Sequence, residues 1–482
     1  MRLSALTGCA PHGGDPDITG LTADSRAVKP GYLFAALPGA RADGSAFVED
    51  AVRKGAVAIL AGASGVDCLP PGIALVRDAN PRRRLALMAA RFHPGQPATM
   101  VAVTGTNGKT SVASFTRQIW AALGYSAASF GTVGIVSPRG SRGLGHTTPD
   151  PVEIHRLLDE LSAEGVTHAA FEASSHGLAQ FRADAVRLKA AGFTNLTRDH
   201  LDYHLTFDAY RDAKMRLFRE VLGSDGVAVI NADGAGAAPF LACSRQRGLR
   251  LISVGAAGRD LQMTDRVPVG DGQQVVVTWQ GRSFQFMLPL AGAFQASNAL
   301  VAAGLVLGTG GEPEGVFAAL GALVGAAGRL EKIGVSRAGV PVYVDYAHTP
   351  DALETVLQAL RPHTQGQLWV VFGCGGDRDA GKRPLMGMAA RAHADRIIVT
   401  DDNPRTEDPA AIRAAVLAGA TGAVEIGDRA AAIAEAITAA RTGDVVVIAG
   451  KGHEAGQIIG HEVLPFNDAD EVRSVISRTR IA

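Results

Sequence analysis

The chain has 482 residues, 47% of them apolar and 20% charged, a globular balance that excludes a mainly disordered polypeptide. Lys plus Arg and Asp plus Glu both number 47, so no global basic field points to nucleic acid or an anionic membrane as a partner. Any anion site must be local, and at roughly 100–200 residues per domain the length predicts about three domains.

Cys9, Cys68, Cys243 and Cys374 are scattered without Cys-x-x-Cys spacing, which argues against a zinc ribbon or disulfide framework and predicts buried free thiols in a reducing compartment. Leu6-Thr7-Gly8-Cys9 superficially resembles a lipoprotein cleavage site, but the segment before it is too short for a signal peptide's apolar core. No run approaches the roughly 18 apolar residues that span a bilayer. The expectation is a soluble cytoplasmic monomer with no stable membrane insertion.

In chain order, 56–61 and 73–76 are short apolar runs that predict strands, followed by a helix over Pro81–Phe92. Pro94-Gly95-Gln96-Pro97 predicts a linker, because two prolines and a glycine continue neither helix nor ladder. From about 99 to 325, strand and helix patterns alternate at 100–103, 111–123, 153–161, 168–171, 190–196, 209–222 and 227–230. Such alternation predicts a mostly parallel α/β sheet. Segments 274–279 and 283–288, joined through Gln280-Gly281-Arg282, predict a peripheral β-hairpin. After Gly328-Arg329-Leu330-Glu331 the pattern restarts with strands at 342–344, 368–372, 397–400 and 445–449, and with helices from Ala352 and over 409–417. That is a second doubly wound α/β unit.

The strongest local signal is Val101-Ala102-Val103-Thr104-Gly105-Thr106-Asn107-Gly108-Lys109-Thr110, a strand leading through a glycine-rich turn into a helix near Ser111. Glycines let backbone N–H groups approach phosphate oxygens, and the helix N-terminus adds favourable partial charge. Lys109 can reach the β- and γ-phosphates, and the Thr110 hydroxyl can ligate Mg²⁺. The widespread form of this loop has glycine where this chain has Val103, so the match is to a shorter variant.

Glu172 ends an apolar strand and precedes Ala173-Ser174-Ser175-His176-Gly177, at the edge where ligands of open α/β sheets bind; a structural or solvated glutamate is the competing reading. The stretch from Thr194 to His204 carries two histidines and two aspartates, suited either to metal or phosphate contact or to surface capping. Lys214, between Ala213 and Met215 on a predicted helix, reads on its own as a snorkelling surface lysine. Asp377-Arg378-Asp379, Asp402-Asn403-Pro404-Arg405 and Gly450-Lys451-Gly452-His453-Glu454 each follow a predicted strand. Arginine forks bind carboxylates and Asp or Glu accept from ammonium groups, so together the three suit a zwitterionic amino acid; singly, each is a turn with solvated charge.

Together these segments resemble the Mur ligase family of peptidoglycan synthesis over essentially the whole chain. Further markers are Asp24-Ser25-Arg26, Thr147-Thr148-Pro149-Asp150, Asn298, Gly328 to Glu331 and Asp345-Tyr346-Ala347-His348-Thr349-Pro350. The resemblance implies an α/β protein of three domains: a smaller N-terminal α/β domain (1–95), a central parallel-sheet ATPase domain with a short P-loop (96–327), and a C-terminal doubly wound, Rossmann-like domain (328–482). It implies ATP held by Gly105, Thr106, Asn107, Gly108, Lys109, Thr110 and Ser111, with Asn298, Arg329 and Asp345 around the nucleotide.

By the same resemblance, Ser25 and the Ala40-Arg41-Ala42 turn hold the uridine diphosphate end of a UDP-N-acetylmuramoyl dipeptide. Thr147, Thr148, Ser174, Gln180 and Arg182 hold its sugar-peptide part. Thr110 and Glu172 ligate one Mg²⁺, His200 lies near a second, and Lys214 matches a lysine that the family carbamylates, turning a cation into an anion. Lys109, Lys214 and His200 are the catalytic candidates. Arg378, Asp402, Asn403, Pro404, Arg405, Gly450 and Glu454 match contacts to meso-diaminopimelate, whose second carboxylate Arg405 would select. Gln295 and His146 stand where the family often has Asn. Folylpolyglutamate synthase-like ligases share the short loop but do not need the Arg405 loop, and a nucleotide-dependent binding protein would use the phosphate loop without making a bond.

Overall fold

A computed structural model describes residues 1–9, 14–39, 43–64, 66 and 69–481; the Ala40-Arg41-Ala42 turn and Cys68 lie outside them. Among the described residues no helix is long and apolar enough to cross a membrane. The chain packs as two compact units. One comprises Met1–Lys109, Trp120–Ile252 and Gly308–Gly310, the other Thr110–Ile119, Ser253–Leu307 and Gly311–Ala482.

In the first unit, Gly20–Thr22, Tyr32–Ala36, Ala58–Ala61 and Ala74–Arg77 form a parallel sheet in sequence order. Alternate residues feed two cores, as a sheet covered on both faces requires. Leu33, Ala35 and Leu60 meet Leu85 and Met88 of the helix Pro81–Phe92 on one side; Phe34, Ala36 and Ile59 meet Val48 and Ala51 on the other. The expected helix over Pro81–Phe92 is present with those bounds, started by Asn80, whose side chain accepts from the Arg83 amide, and by Pro81 in its first turn.

The larger sheet of this unit runs Val227–Asn231, Ala190–Phe193, Thr99–Thr104, His168–Glu172, Ala127–Gly131, all parallel. Gly134–Ser137 and Gly140–Arg142 continue it antiparallel. Register places Phe193 beside Thr104 and Glu172 beside Val103, so the strand leading to the glycine loop is flanked on both sides by strands that end level with it. The helix expected over 209–222 is α-helical only through Phe207–Arg216 and continues as a π-helical turn, Leu217–Val221. The wider turn accompanies burial of Leu217, Phe218 and Leu222 together.

In the second unit, Leu261–Val269, Gly272–Trp279 and Arg282–Leu288 are antiparallel neighbours, and the last is an edge strand. Their hairpin turns on Gln280 and Gly281, both at positive φ, the two-residue turn that suits twisted strands. A six-stranded sheet follows, in the order Glu331–Val335, Pro341–Asp345, Val445–Ala449, Leu368–Phe372, Arg396–Val399, Val424–Glu425, parallel except for its first pair. Helices cover both faces: Leu353, Leu357 and Met386 on one, Ile433, Ala436 and Val472 on the other. This is the expected doubly wound arrangement.

The cysteine expectation needs correcting. Cys374 is buried and Cys243 half-buried, but Cys9 is exposed, carried outward after left-handed Gly8 ends the helix Leu3–Thr7.

Candidate active site

The strand Thr99–Thr104 runs into Gly105, at φ 150°, and Gly108, at φ 87°. A Cβ at Gly105 would collide with Thr194 Oγ1, so only glycine lets the loop close there. The corner after Ala190–Phe193 grips the loop. The Thr106 amide donates to Asn195 O (2.8 Å), the Asn107 amide to Asn195 Oδ1 (3.1 Å), and Thr194 Oγ1 to Asn107 O (2.6 Å). Thr106 Oγ1 and Tyr210 OH lie 3.0 Å apart.

Two lysines converge on this loop. Lys109 Nζ donates to Gly105 O (2.9 Å) and Thr106 O (2.8 Å), and Lys214 Nζ donates to the same Gly105 carbonyl (2.7 Å). Lys214 is 1% exposed, which overturns the surface reading of this residue. Helical phase explains it: Tyr210, Ala213 and Lys214 sit at i, i+3 and i+4 and share the buried face of Phe207–Arg216. Burial first, then the neighbouring Lys109 charge, holds the Lys214 amine well below the usual lysine range, with Asp199 opposing.

Glu172 is also buried, its Oε1 accepting from the Thr132 amide (2.7 Å) and Oε2 from Thr132 Oγ1 (3.1 Å). Thr132 Oγ1 in turn lies 3.1 Å from Thr147 Oγ1. Thr148 Oγ1 lies 2.8 Å from Glu172 O and 3.0 Å from Ser174 Oγ, and Arg182 donates to Thr148 O (2.7 Å) and to Gln180 Oε1 (2.8 Å). Thr147, Thr148, Glu172, Ser174, Gln180 and Arg182 are thus one hydrogen-bonded strap. Gln180 Nε2 donates to Tyr203 OH (3.0 Å), and the His176 ring meets those of His200 and Tyr203, at 4.8 and 4.2 Å. His200 itself has φ 52° and lies beside Asp199, Nε2 to Oδ2 3.4 Å. His146 is exposed, and half-buried Ser25 opens a short turn capped by Asp24.

These residues suit a polyphosphate with Mg²⁺. A glycine cradle that a Cβ would fill carries two convergent lysines, and an anion there would relieve their mutual repulsion. Among the described residues no three His, Cys, Asp or Glu side chains form a metal cage. Mg²⁺ commonly takes one or two protein oxygens, several waters and substrate phosphates, so a buried carboxylate such as Glu172 is an appropriate donor.

In the second unit, Asp345 is buried, accepting from the Leu330 amide (2.6 Å) and the Ala347 amide (2.7 Å); burial pushes its carboxyl up to about 6 against the pull of Arg329. The Arg329 guanidinium lies over the Tyr346 ring at 4.6 Å. Gln295 bridges Asn298 and this segment, its Oε1 accepting from Asn298 Nδ2 (3.2 Å) and its Nε2 donating to Arg329 O (3.0 Å).

The three polar loops at the strand ends do converge. Arg405, at φ 53°, donates Nη1 to Gly376 O (2.8 Å), and a Cβ on Gly375 would lie 2.8 Å from that same Nη1 and 3.8 Å from Arg378 Cγ. Asn403 Nδ2 donates to Glu454 Oε2 (2.8 Å). Gly450, at φ 116°, faces Asp402, whose carboxylate oxygen would be 2.7 Å from a Cβ there. Asp402, Asn403 and Pro404 are buried, Arg405 and Glu454 half-buried, and Arg378 exposed.

Residues 17–106 match the Mur ligase family catalytic domain, 103–306 the Mur ligase middle domain, and 328–452 the Mur ligase glutamate ligase domain. The chain is 55% identical over 470 residues to the UDP-N-acetylmuramoyl-L-alanyl-D-glutamate–2,6-diaminopimelate ligase of Bradyrhizobium diazoefficiens, covering 97% of this chain and 96% of that one. It is 53% identical over 481 residues to the ligase of the same name from Mesorhizobium japonicum, covering 99% of both. A solved structure of a ligase of that name superposes with TM-score 0.76 at 34% identity, over 100% of this chain and 99% of that one. The chain belongs to the Mur ligase family. As a Mur ligase it is an ATP-dependent ligase. Sequence reading of this Mur ligase passed over Thr132 and Tyr210 and gave Thr194 and Lys451 no role of their own. Thr194 and Lys451 stand inside motifs already singled out, whereas Thr132 had no local signal.

Proposed function

We infer that this chain joins meso-2,6-diaminopimelate to UDP-N-acetylmuramoyl-L-alanyl-D-glutamate, consuming ATP, in peptidoglycan precursor synthesis. The observation that carries the reading is the Arg405 loop. A half-buried guanidinium stands with Arg378 near a cluster holding the Asp402 and Glu454 carboxylates. That is the complement of a zwitterionic amino-acid end. The named relatives supply the identity of the amino acid.

The D-Glu carboxylate attacks the γ-phosphorus of ATP, giving an acyl phosphate and ADP. The diaminopimelate amine then adds to the activated carbonyl, loses a proton, and inorganic phosphate leaves. Loop amides from Gly105 to Ser111 and the Lys109 ammonium hold the phosphate charge, so the protein contributes positioning and electrostatics. Asn298, Arg329 and Asp345 serve the nucleotide, Thr147, Thr148, Ser174, Gln180 and Arg182 the sugar-peptide, and Ser25 the uridine diphosphate. Thr110 and Glu172 would hold one Mg²⁺ and His200 would serve a second, supplying positive charge to the transferred phosphoryl group. The chain acts as a cytoplasmic monomer with boundaries near 95 and 327.

Lys214 is carbamylated in this reading. Its amine reacts with carbon dioxide only when uncharged, and burial beside Lys109 favours that form. Native intact mass of protein held with bicarbonate should show the added carboxyl, lost in Lys214→Ala. The deciding assay is phosphate release with the UDP-muramoyl dipeptide and meso-diaminopimelate, repeated with L-lysine. Comparable turnover with both amino acids would end the assignment.

A further inference from the structure

Lys451 lies inside the third polar loop with its side chain fully buried, yet the reaction outlined above gives it no task. Its ammonium is 3.0 Å from Asn403 Oδ1, 3.1 Å from Glu454 Oε2 and 4.0 Å from Asp402 Oδ1. Asn403 is committed on every side: Oδ1 also accepts from the Ile458 amide (2.9 Å) and Nδ2 donates to Glu454. A lysine without exposure is stable only when its charge is met, and here it is met by the residues that face the amino acid.

We propose that Lys451 is a positioning residue for the amino-acid substrate, which orients Asn403 and Glu454 and reduces the two carboxylates of Asp402 and Glu454 to one net negative charge. One remaining charge is the complement of a single substrate ammonium, with Arg405 left for the carboxylate. The proposal rests on the reading that this loop cluster holds diaminopimelate. Without Lys451 the pair of carboxylates would repel, and Asn403 would lose a donor that fixes its amide.

The charges acting most on Asp402 are Arg429, Lys451, Glu454 and Asp468, and the titratable side chains of Tyr346, His348 and Cys374 also feel its charge. Arg429 is tied to Asp468 by a fully buried two-point ion pair (2.7 and 2.8 Å) and also donates to Ala449 O (3.0 Å). Lys451 is therefore the cation left to balance Asp402 and Glu454. Burial raises the Asp402 carboxyl while Arg429 and Lys451 lower it, so loss of Lys451 raises it further.

Steady-state kinetics of Lys451→Met test this. The KM for meso-diaminopimelate should rise roughly 30-fold or more, the scale for stripping one partner from a buried charge cluster. The KM for ATP and kcat at saturating amino acid should stay within about threefold, because the loss is in ground-state binding. Lys451→Arg, keeping the charge, should recover part of the affinity. If the Met variant does not fold, Lys451→Gln, which keeps a donor but no charge, gives the same reading. An unchanged KM for diaminopimelate, or equal defects for ATP and diaminopimelate, overturns the role of Lys451 while leaving the function intact. Wild-type protein that turns over no diaminopimelate overturns both.

Discussion

In the proposed function the phosphate loop and the amino-acid loops solve recognition differently. The first is built from backbone: Gly105 and Gly108 occupy positive φ, and the contacts that fix the loop run largely to amides and carbonyls of residues 105–107. Its lysines, Lys109 and Lys214, meet at one carbonyl. The second is built from paired side chains, with Lys451 between Asn403 and Glu454, and Arg429 on Asp468. A loop that converges two ammonium groups on one carbonyl suits a ligand of strong negative charge, whereas a cluster of paired side chains discriminates among ligands by the charge that remains.

Lys109→Ala should break this contrast most. Removing a cation that acts on developing phosphoryl charge predicts a fall in kcat on the order of 10³-fold, read as phosphate release with both substrates saturating. A fall below tenfold would mean that the backbone cradle alone does the work. Arg405→Ala should cost less rate and more selectivity. The kcat/KM for meso-diaminopimelate should drop roughly 10²-fold while that for L-lysine changes little, so the ratio between them collapses. A parallel fall for both amino acids would show Arg405 to be only a structural support of its loop.

The same contrast explains what the sequence disclosed. Gly105 to Thr110 is contiguous, so its meaning survives without the fold, and the helices Pro81–Phe92 and Pro409–Leu417 were legible because proline and apolar spacing are local signals. Taken alone Lys214 reads as a surface lysine, and only the resemblance reverses this, because its neighbours in sequence say nothing of Gly105, 109 residues away, whose carbonyl it meets. Thr132 was invisible for the same reason: its partner Glu172 is 40 residues on. Antiparallel edges such as Gly134–Ser137 with Gly140–Arg142 escaped notice because three- and four-residue strands carry too little periodicity. The amino-acid loops were legible as motifs and were grouped by their shared place after strands, and the resemblance supplied which amino acid they suit.

The smallest expected effect concerns acid, where one buried group in each unit pulls in opposite directions. His155, on the helix Pro151–Ala163, donates Nε2 to Asp184 O (3.1 Å), and burial holds its imidazole down to about 4. Unfolded, it titrates near 6.5, so between 6.5 and 4 the unfolded chain binds the extra proton and stability falls as pH falls. Asp345 does the reverse. Its carboxyl, raised to about 6 from 3.8, keeps a proton in the folded chain that the unfolded chain has lost. Its contribution to stability therefore falls as pH rises from 3.8 to 6 and improves on acidification. Each is worth roughly 3 kcal/mol at full extent. Hydrogen exchange corrected for intrinsic rates should show protection of the helix Pro151–Ala163 weakening from pH 7 to 5, while the strand Pro341–Asp345 holds or gains. His155→Gln should weaken the first response, leaving the part due to His204, which burial also holds down to about 4, and should leave the second unchanged. Equal loss in both segments would mean that acid acts on a feature the two units share, and not on these two groups.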